Sequence, residues 1–258
     1  MDHALQPAGD VRVRNMATAI VPAVLVRART KKATTMTKLI VPVLLFAIVT
    51  AAVAADGPVD RWASAVGGRD KVAAVKSIYR EGTLTFGGLT GSIKVWRTAD
   101  GKYRKEEQVG PYSSIETFDG TNGRVQQGSA APRAVTGDEL GIFLSKSFAN
   151  WSAVFFVFFP ERRHGTLRIN ADDTIAFTPE GGIEWLVTLD PQTSLPKTMM
   201  HKEGDRTITV SFTSYETVGA FRLEKELHRT NGDPRFDAVI QFTKTVIDAP
   251  VAPSLFSL

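Results

Sequence analysis

Short stretches in which apolar and polar residues alternate run through the chain from residue 78 onward, and they restrict the folds open to it. Leu84 and Phe86 alternate with threonines, and Ile93 and Val95 alternate with polar residues. Since successive side chains of a strand point to opposite faces, each stretch predicts a strand with one apolar face. The alternation therefore predicts a β-sheet that buries one side.

Turn residues separate the first of these stretches. Gly, Asp and Asn are concentrated at 87–88, 99–101 and 119–123, and such clusters are typical of tight turns between strands. The strands that they delimit lie around residues 78–86, 90–98, 102–108, 112–118 and 123–128. Consecutive strands joined by tight turns predict an antiparallel meander.

The same alternation returns in the C-terminal part of the chain. Apolar residues recur at every second position from 183 to 189, from 208 to 212 and from 240 to 242. Eight to eleven short strands with one helical insert predict a mainly β (α+β) domain, built on a single, strongly curved antiparallel sheet. Such a sheet needs something to cover its apolar concave face.

Helical spacing occurs in two regions. Before Ser77, apolar residues predict two short helices with a break at 67–68. Further on, Thr136–Glu139 matches a capping box, which predicts a helix over 137–149. The very apolar run at 153–159 is interpreted as a core-filling segment, with an exposed lid or partner surface as the alternative.

Residues 36–54 have the three parts of a secretory signal peptide. Lys38 supplies the positive start, the uncharged run 39–55 is 17 residues long, and Ala52–Ala54 fits a cleavage site. We predict cleavage near Ala54, which places the protein in the periplasm or outside the cell. The alternative is an inner-membrane anchor formed by the uncleaved segment 39–55, which has the shortest length that spans a bilayer.

The segments on either side of this signal are assigned separately. Residues 1–35 are interpreted as a disordered upstream extension that arises from a wrong start codon, with translation beginning at Met36. Residues 55–258 are predicted to form one domain.

Removing the leader changes the charge of the chain. The full sequence has 31 Lys and Arg against 27 Asp and Glu, a formal charge of +4. Seven of the bases and two of the acids lie in residues 1–54, which leaves 24 bases against 25 acids. A near-neutral domain lacks the basic surface that nucleic-acid binding requires, so no nucleic-acid partner is predicted.

The sequence has no recognisable catalytic or cofactor site. It contains no cysteine, which excludes disulfides, thiolate nucleophiles and the lipid-bearing cysteine of bacterial lipoproteins. His164, His201 and His228 are widely separated, and we expect them on the surface, without a metal site. Serine-hydrolase, P-loop and dinucleotide-binding glycine motifs are lacking. We therefore predict no enzymatic activity, no metal and no cofactor.

A motif among the C-terminal strands resembles a known family. It consists of Leu189–Lys197 (LDPQTSLPK), the Gly204 turn, the strand 207–212, Tyr215 and Gly219. This order resembles the LolA/LolB-like periplasmic lipoprotein-carrier superfamily. The glycines at 67–68 and the Pro253–Phe256 segment look like the bacterial outer-membrane lipoprotein-sorting-like proteins. The similarity covers roughly residues 57–258.

The resemblance implies a fold and a kind of ligand. The fold is an unclosed half-barrel of about eleven antiparallel strands, with helices covering the concave face and a hydrophobic cavity that takes lipid acyl chains. It implies no catalytic residues. Because the chain lacks a lipid-bearing cysteine, it is similar to the soluble carriers rather than to the membrane-anchored acceptors.

The leading hypothesis is a monomeric, non-enzymatic periplasmic carrier of a lipid or an acylated, lipoprotein-like ligand. The residues predicted to line its cavity are Leu84, Phe86, Ile93, Val95, Trp185, Val187, Ile208, Val210 and Phe212. From the residues alone, a filled core is favoured over an open cavity. The alternative function is an envelope sensor that binds a partner protein, and a hydrolase comes third.

Overall fold

The computed structural model describes residues 57–148 and 157–258. The predicted extension 1–35, the signal peptide 36–54 and part of the apolar run at 153–159 lie outside the described residues. The helices are α1 (Pro58–Val66), α2 (Arg69–Ala74) and α3 (Gly137–Phe148), with 3-10 turns at Pro160–Arg163, Pro234–Phe236 and Pro253–Phe256. The first six strands are β1 (Ser77–Phe86), β2 (Leu89–Thr98), β3 (Tyr103–Val109), β4 (Tyr112–Phe118), β5 (Gly123–Gln127) and β6 (Arg133–Val135). The other seven are β7 (Thr166–Ile169), β8 (Ile175–Thr178), β9 (Trp185–Leu189), β10 (Pro196–Glu203), β11 (Arg206–Val218), β12 (Phe221–Thr230) and β13 (Ala238–Ile247).

All thirteen strands of the described residues form one antiparallel sheet. Their order is β6-β5-β4-β3-β2-β1-β13-β12-β11-β10-β9-β8-β7, so the sheet ends at β6 and β7 and is not closed. This confirms the predicted fold class of a mainly β, unclosed half-barrel. The strand count is thirteen rather than about eleven because β6, β7 and β8 have only three or four residues, too few for alternation to mark them.

The first and last strands pair at the centre of the sheet. β1 and β13 run antiparallel from Ile78 opposite Ile247 to Phe86 opposite Ala238, with a register shift at Glu81/Gly82. Two meanders extend from this pair, β1–β6 on one side and β13–β7 on the other. A side chain at Gly82 would collide with the carbonyl oxygen of Gln241, so the close approach of the two strands depends on this glycine.

The two predicted N-terminal helices are confirmed, with the break where it was expected. α1 begins at Pro58, whose fixed φ suits the first helical position. It ends at Gly67, which has a φ of 138° and lies so close to the Ala220 carbonyl that a side chain would not fit. α1 is thereby held against the turn between β11 and β12.

The concave face of the sheet carries the main hydrophobic core. Trp62 of α1 is 1% exposed and packs edge-on against Phe158, with ring centroids 5.1 Å apart. Val157 and Phe158 are both buried, so the described end of the apolar run fills the core as interpreted. Burying one such large side chain stabilises the fold by roughly 1.5–3 kcal/mol.

The helix α3 bridges the two limbs of the curved sheet, which are the meander β1–β6 and the meander β13–β7. On one side Phe143 packs against Tyr103 of β3, with ring centroids 5.8 Å apart. On the other side the Ser145 hydroxyl accepts a hydrogen bond of 2.7 Å from the Ile183 amide, just before β9. The helix therefore covers the concave face, as predicted.

Candidate functional site

A cavity of about 280 Å³ lies on the concave face beneath α3. Its lining comes from β1–β4, α3 and β9–β12, and from the loop that follows β12. The two limbs of the sheet thus contribute opposite walls, and the walls differ in chemistry.

One wall is apolar and belongs to β9–β11. It is formed by Trp185, Met199, Ile208, Val210 and Phe212. These residues share a face because Met199 lies opposite Val210, and Ile208 lies opposite His201, whose other neighbour is Trp185. Phe86 of β1 extends this wall.

The other wall is charged and belongs to β2–β4 and α3. Arg97 lies opposite Tyr103 between β2 and β3, and Lys105 lies opposite Glu116 between β3 and β4. Arg97 is 5% exposed and Lys105 is 7% exposed. Buried charges need partners because transfer from water is costly, and this wall supplies several.

Glu116 links two ammonium groups. Its carboxylate lies 3.3 Å from Lys105 Nζ and 3.3 Å from Lys146 Nζ. Burial by itself disfavours the carboxylate, but the two ammonium groups outweigh it and lower the pKa of Glu116 to about 2. Lys105 also lies 3.0 Å from Glu107. Burial opposes its charge, but the two carboxylates prevail and raise the Lys105 pKa.

Arg97 connects the wall to the helix that covers it. Its Nη1 donates a 3.0 Å hydrogen bond to the Lys146 carbonyl, and its guanidinium lies 5.1 Å from the centroid of the Tyr103 ring. Burial lowers the pKa of Arg97 to about 9, so the group remains positively charged at neutral pH.

His201 is buried inside the cavity wall, and the prediction that it lies on the surface is wrong. Its ring stacks on Trp185 with centroids 3.9 Å apart, and Nε2 lies 3.0 Å from Glu203 Oε1. The hydrogen bond to His201 and nearby positive charge outweigh burial and lower the pKa of Glu203. His201 is buried because it lies two residues after Met199 and so shares its inward face.

Several buried polar atoms of the lining have no hydrogen-bond partner among the described residues, and those of one tyrosine, one tryptophan and one histidine concern the site here. These three are Tyr103 Oη, Trp185 Nε1 and His201 Nδ1. Buried polar atoms are nearly always satisfied by protein, water or ligand. These three atoms therefore mark the cavity as a place for polar contacts as well as apolar ones.

Arg229 and Phe86 join the cavity to a neighbouring groove. The groove has a volume of about 390 Å³ and is lined by Leu84, Val109 and Tyr112 as well as by these two residues. Arg229 is half-buried and forms no salt bridge with any residue in 57–148 or 157–258. Arg229 thus lies where the cavity meets the more exposed groove.

The nine residues predicted to line a cavity divide into three groups. Phe86, Trp185, Ile208, Val210 and Phe212 line the cavity. Leu84 lines the neighbouring groove. Ile93, Val95 and Val187 are at most 1% exposed and lie in the hydrophobic core.

Sequence reasoning missed the charged wall, although a signal for it exists. Arg97 continues the inward positions of Ile93 and Val95, and Lys105 follows Tyr103 at the same spacing. A charged residue in phase with the apolar face of a strand points inward. This phase, rather than any motif, identifies the buried cations.

The described residues lack two other features. Residues 57–148 and 157–258 contain no group of three or more His, Asp or Glu side chains that could hold a metal ion. Within the same residues, no helix combines the length and apolar character needed to cross a membrane.

Comparisons with known proteins give similarities of fold only. No family model matches the sequence, and no curated protein matches it. A DUF1329 family protein from Desulfovibrio piger is similar, with a TM-score of 0.48 and 14% identity over 78% of this chain and 98% of the other.

Two further solved structures are similar to this chain. A LolA superfamily protein from Nitrosomonas europaea gives a TM-score of 0.48 at 8% identity, over 76% of this chain and 97% of that one. An outer membrane lipoprotein-sorting protein domain from Vibrio parahaemolyticus gives 0.45 at 9% identity, over 72% and 92%. The proteins similar to this chain thus include a member of the LolA superfamily.

Proposed function

We propose that this protein binds and carries a lipid or an acylated ligand in the cavity beneath α3, without catalysis, in the periplasm or outside the cell. The observation that carries the proposal is the apolar wall of Trp185, Met199, Ile208, Val210 and Phe212, which faces a cavity rather than a filled core. Small-molecule sites are typically concave and mostly apolar, with a few polar groups.

The size of the cavity suits a short hydrocarbon chain. Its 280 Å³ is just below the roughly 300–1,000 Å³ of small-molecule sites. Each CH₂ group that leaves water contributes about 0.8 kcal/mol, so one chain against this wall gives useful but reversible binding. The adjoining groove offers room for a longer chain to continue past Phe86.

The chemistry of the lining supports binding rather than hydrolysis. The lining includes no serine, and its one imidazole stacks on Trp185 and bonds to Glu203. Activated nucleophiles need a base within hydrogen-bond reach. The described residues around this cavity do not assemble such a pair.

Filling the cavity tests the proposal. In Ile208→Phe the larger side chain occupies the cavity from the half-buried edge of β11. We expect this variant to bind a fluorescent fatty acid at least tenfold more weakly than the unmodified protein. Val239→Phe, at an exposed position of β13, is the matched control and should bind as the unmodified protein does. Native mass spectrometry after gentle purification should show a bound lipid, which Ile208→Phe loses.

Equal binding by both variants would contradict the assignment of the cavity, provided that circular dichroism shows both to be folded. Failure of the unmodified protein to bind any acyl chain would contradict the function itself.

A partner-protein function is the second candidate, and one observation favours it. Leu89, Tyr112 and Phe236 are exposed apolar side chains at loops on the same end of the sheet, where β1–β2, β3–β4 and β12–β13 connect. Exposed apolar side chains that cluster mark interaction surfaces. A pull-down from envelope extract should recover one defined protein, and Leu89→Ser should weaken its capture without affecting fatty-acid binding.

A further inference from the structure

We infer that the ligand is an amphiphile with an anionic head group, a carboxylate or a phosphate, held by charged and polar groups of the cavity lining while its hydrocarbon lies on the β9–β11 wall. This inference rests on the proposed function, because it names the chemical class of the ligand that the same cavity binds. It depends on three observations about the lining.

The first observation is an excess of positive charge. The cations of the lining are Arg97, Lys105, Lys146 and Arg229, and its carboxylates are Glu116 and Glu203. Counting Glu107, which contacts Lys105 from the adjoining groove, still leaves one positive charge in excess. A buried charge is costly without a counter-charge. An anion in the cavity would balance the excess positive charge, whereas a cation would add to it.

The second observation is the difference between the lysines and Arg229. Lys105 and Lys146 share the Glu116 carboxylate. Arg229 forms no salt bridge with any described residue, although it is half-buried in the cavity lining. A guanidinium presents five N–H donors in a plane that matches the two oxygens of a carboxylate or phosphate. Arg229 therefore has the capacity to bind an anionic head group.

The third observation is the set of buried polar atoms described above. Tyr103 is 1% exposed and Trp185 is 6% exposed, and Tyr103 Oη and Trp185 Nε1 have no acceptor among the described residues. Both groups donate hydrogen bonds, and an indole N–H does nothing else. An oxyanion accepts several hydrogen bonds at once, so it satisfies donors that a hydrocarbon alone would leave without partners.

The head group can be tested with ligands that share one chain. Dodecanoate, dodecyl phosphate and dodecanol, each below its micelle concentration, would compete with a neutral fluorescent probe of apolar sites. We expect the two anions to bind about tenfold more tightly than the alcohol, since a hydrogen bond to a charged group is worth that much. Equal binding of dodecanol and dodecanoate would overturn the inference while leaving the proposed function intact.

Variants of the lining locate the contact. Arg229→Gln should remove the preference for the anions over dodecanol, whereas Arg222→Gln, at an exposed arginine on the same strand, should retain it. Tyr103→Phe keeps the ring and removes the hydroxyl, and we expect a loss of several-fold for the anions only. An anion preference that survives both Arg229→Gln and Tyr103→Phe would overturn the assignment of these residues.

Inorganic phosphate separates a head-group site from a site for free anions. We expect millimolar phosphate to displace the dodecyl anions weakly, because the chain provides most of the binding energy. Phosphate that binds as tightly as dodecyl phosphate would overturn the amphiphile assignment. If none of the dodecyl compounds binds, both the inference and the proposed function fail. If all of them bind equally, only the inference fails.

Discussion

Glu116 is a buried carboxylate between Lys105 and Lys146, and its pKa makes the stability of the protein depend on pH. The ammonium groups overcome burial and lower the pKa to about 2 from the ordinary 4.5. The carboxylate is thus favoured in the folded state, so its contribution is complete above pH 4.5 and is lost as the pH falls toward 2. The shift corresponds to about 3 kcal/mol.

Glu116→Gln should lower the free energy of unfolding by about 3 kcal/mol at pH 7, because the buried Lys105 and the half-buried Lys146 lose their shared partner. Urea unfolding between pH 2 and pH 7 should show this difference shrinking below pH 4.5. Glu184→Gln, which removes an exposed carboxylate, is the control and should change little. A difference between Glu116→Gln and the unmodified protein that stays constant over the whole range would contradict the charged pairing.

The local sequence pattern assigns side chains to a face of the sheet, but it does not show which of them line the cavity. Alternation is a property of neighbouring residues, so the sequence pattern is enough to place Phe86, Trp185 and Val210 on one face of their strands. Whether an inward side chain meets a cavity or its core neighbours depends on what the opposite limb contributes. For this reason Ile93 and Val187 lie in the core while Ile208 and Phe212 line the cavity.

Among the elements, α3 is attached to the second limb of the sheet by hydrogen bonds of Ser145. Ser145 is fully buried, donates to the Gly141 carbonyl at 2.9 Å and accepts from the Ile183 amide. Ser145→Ala leaves the Ile183 amide without its acceptor, which costs roughly 1–3 kcal/mol. We expect faster hydrogen exchange at Ile183 and along α3, with the rest of the sheet unchanged.

Ser64→Ala, at an exposed position of α1, is the matched control for this exchange experiment. Unchanged protection of the Ile183 amide in Ser145→Ala would show that other contacts attach α3. Faster exchange of α3 combined with faster fatty-acid release would identify this helix as the cover that opens for the ligand.

A second element-scale prediction concerns the junction of β1 with β13. In Gly82→Ala, the methyl group would collide with the Gln241 backbone, so the central strands must separate or shift register. We expect the free energy of unfolding to fall by about 2 kcal/mol or more. Thr83→Ala, at the exposed neighbouring position of β1, should cost less than roughly 1 kcal/mol. Similar midpoints for the two variants in thermal unfolding would contradict this junction.

At the scale of the whole molecule, the sheet depends on a pairing between its two ends in sequence. β13 lies between β1 and β12 and contributes Ile240 and Phe242 to the core. A chain that ends at residue 237 loses the strand that joins the two meanders. We expect it to lack a cooperative unfolding transition, because both inner edges and the core face are exposed.

The control for this truncation is a chain that starts at residue 55. It retains every described element, and we expect it to unfold in one cooperative transition. A cooperative transition in the chain that ends at residue 237 would show instead that each meander is stable alone.

The sequence pattern alone predicts the apolar faces of β1–β5, β9, β11 and β13, the turns between the first five strands, and the helices α1–α3. Each of these depends on residues close together in the chain. Only the tertiary structure decided that β1 pairs with β13, that thirteen strands share one sheet, and that Arg97 and Lys105 line a cavity together with Trp185 and Val210. Those contacts join residues far apart in sequence, and which strands become neighbours is set by the packing of all the apolar faces at once. Alternation assigns a side chain to a face, whereas the curvature of the whole sheet decides what that face meets.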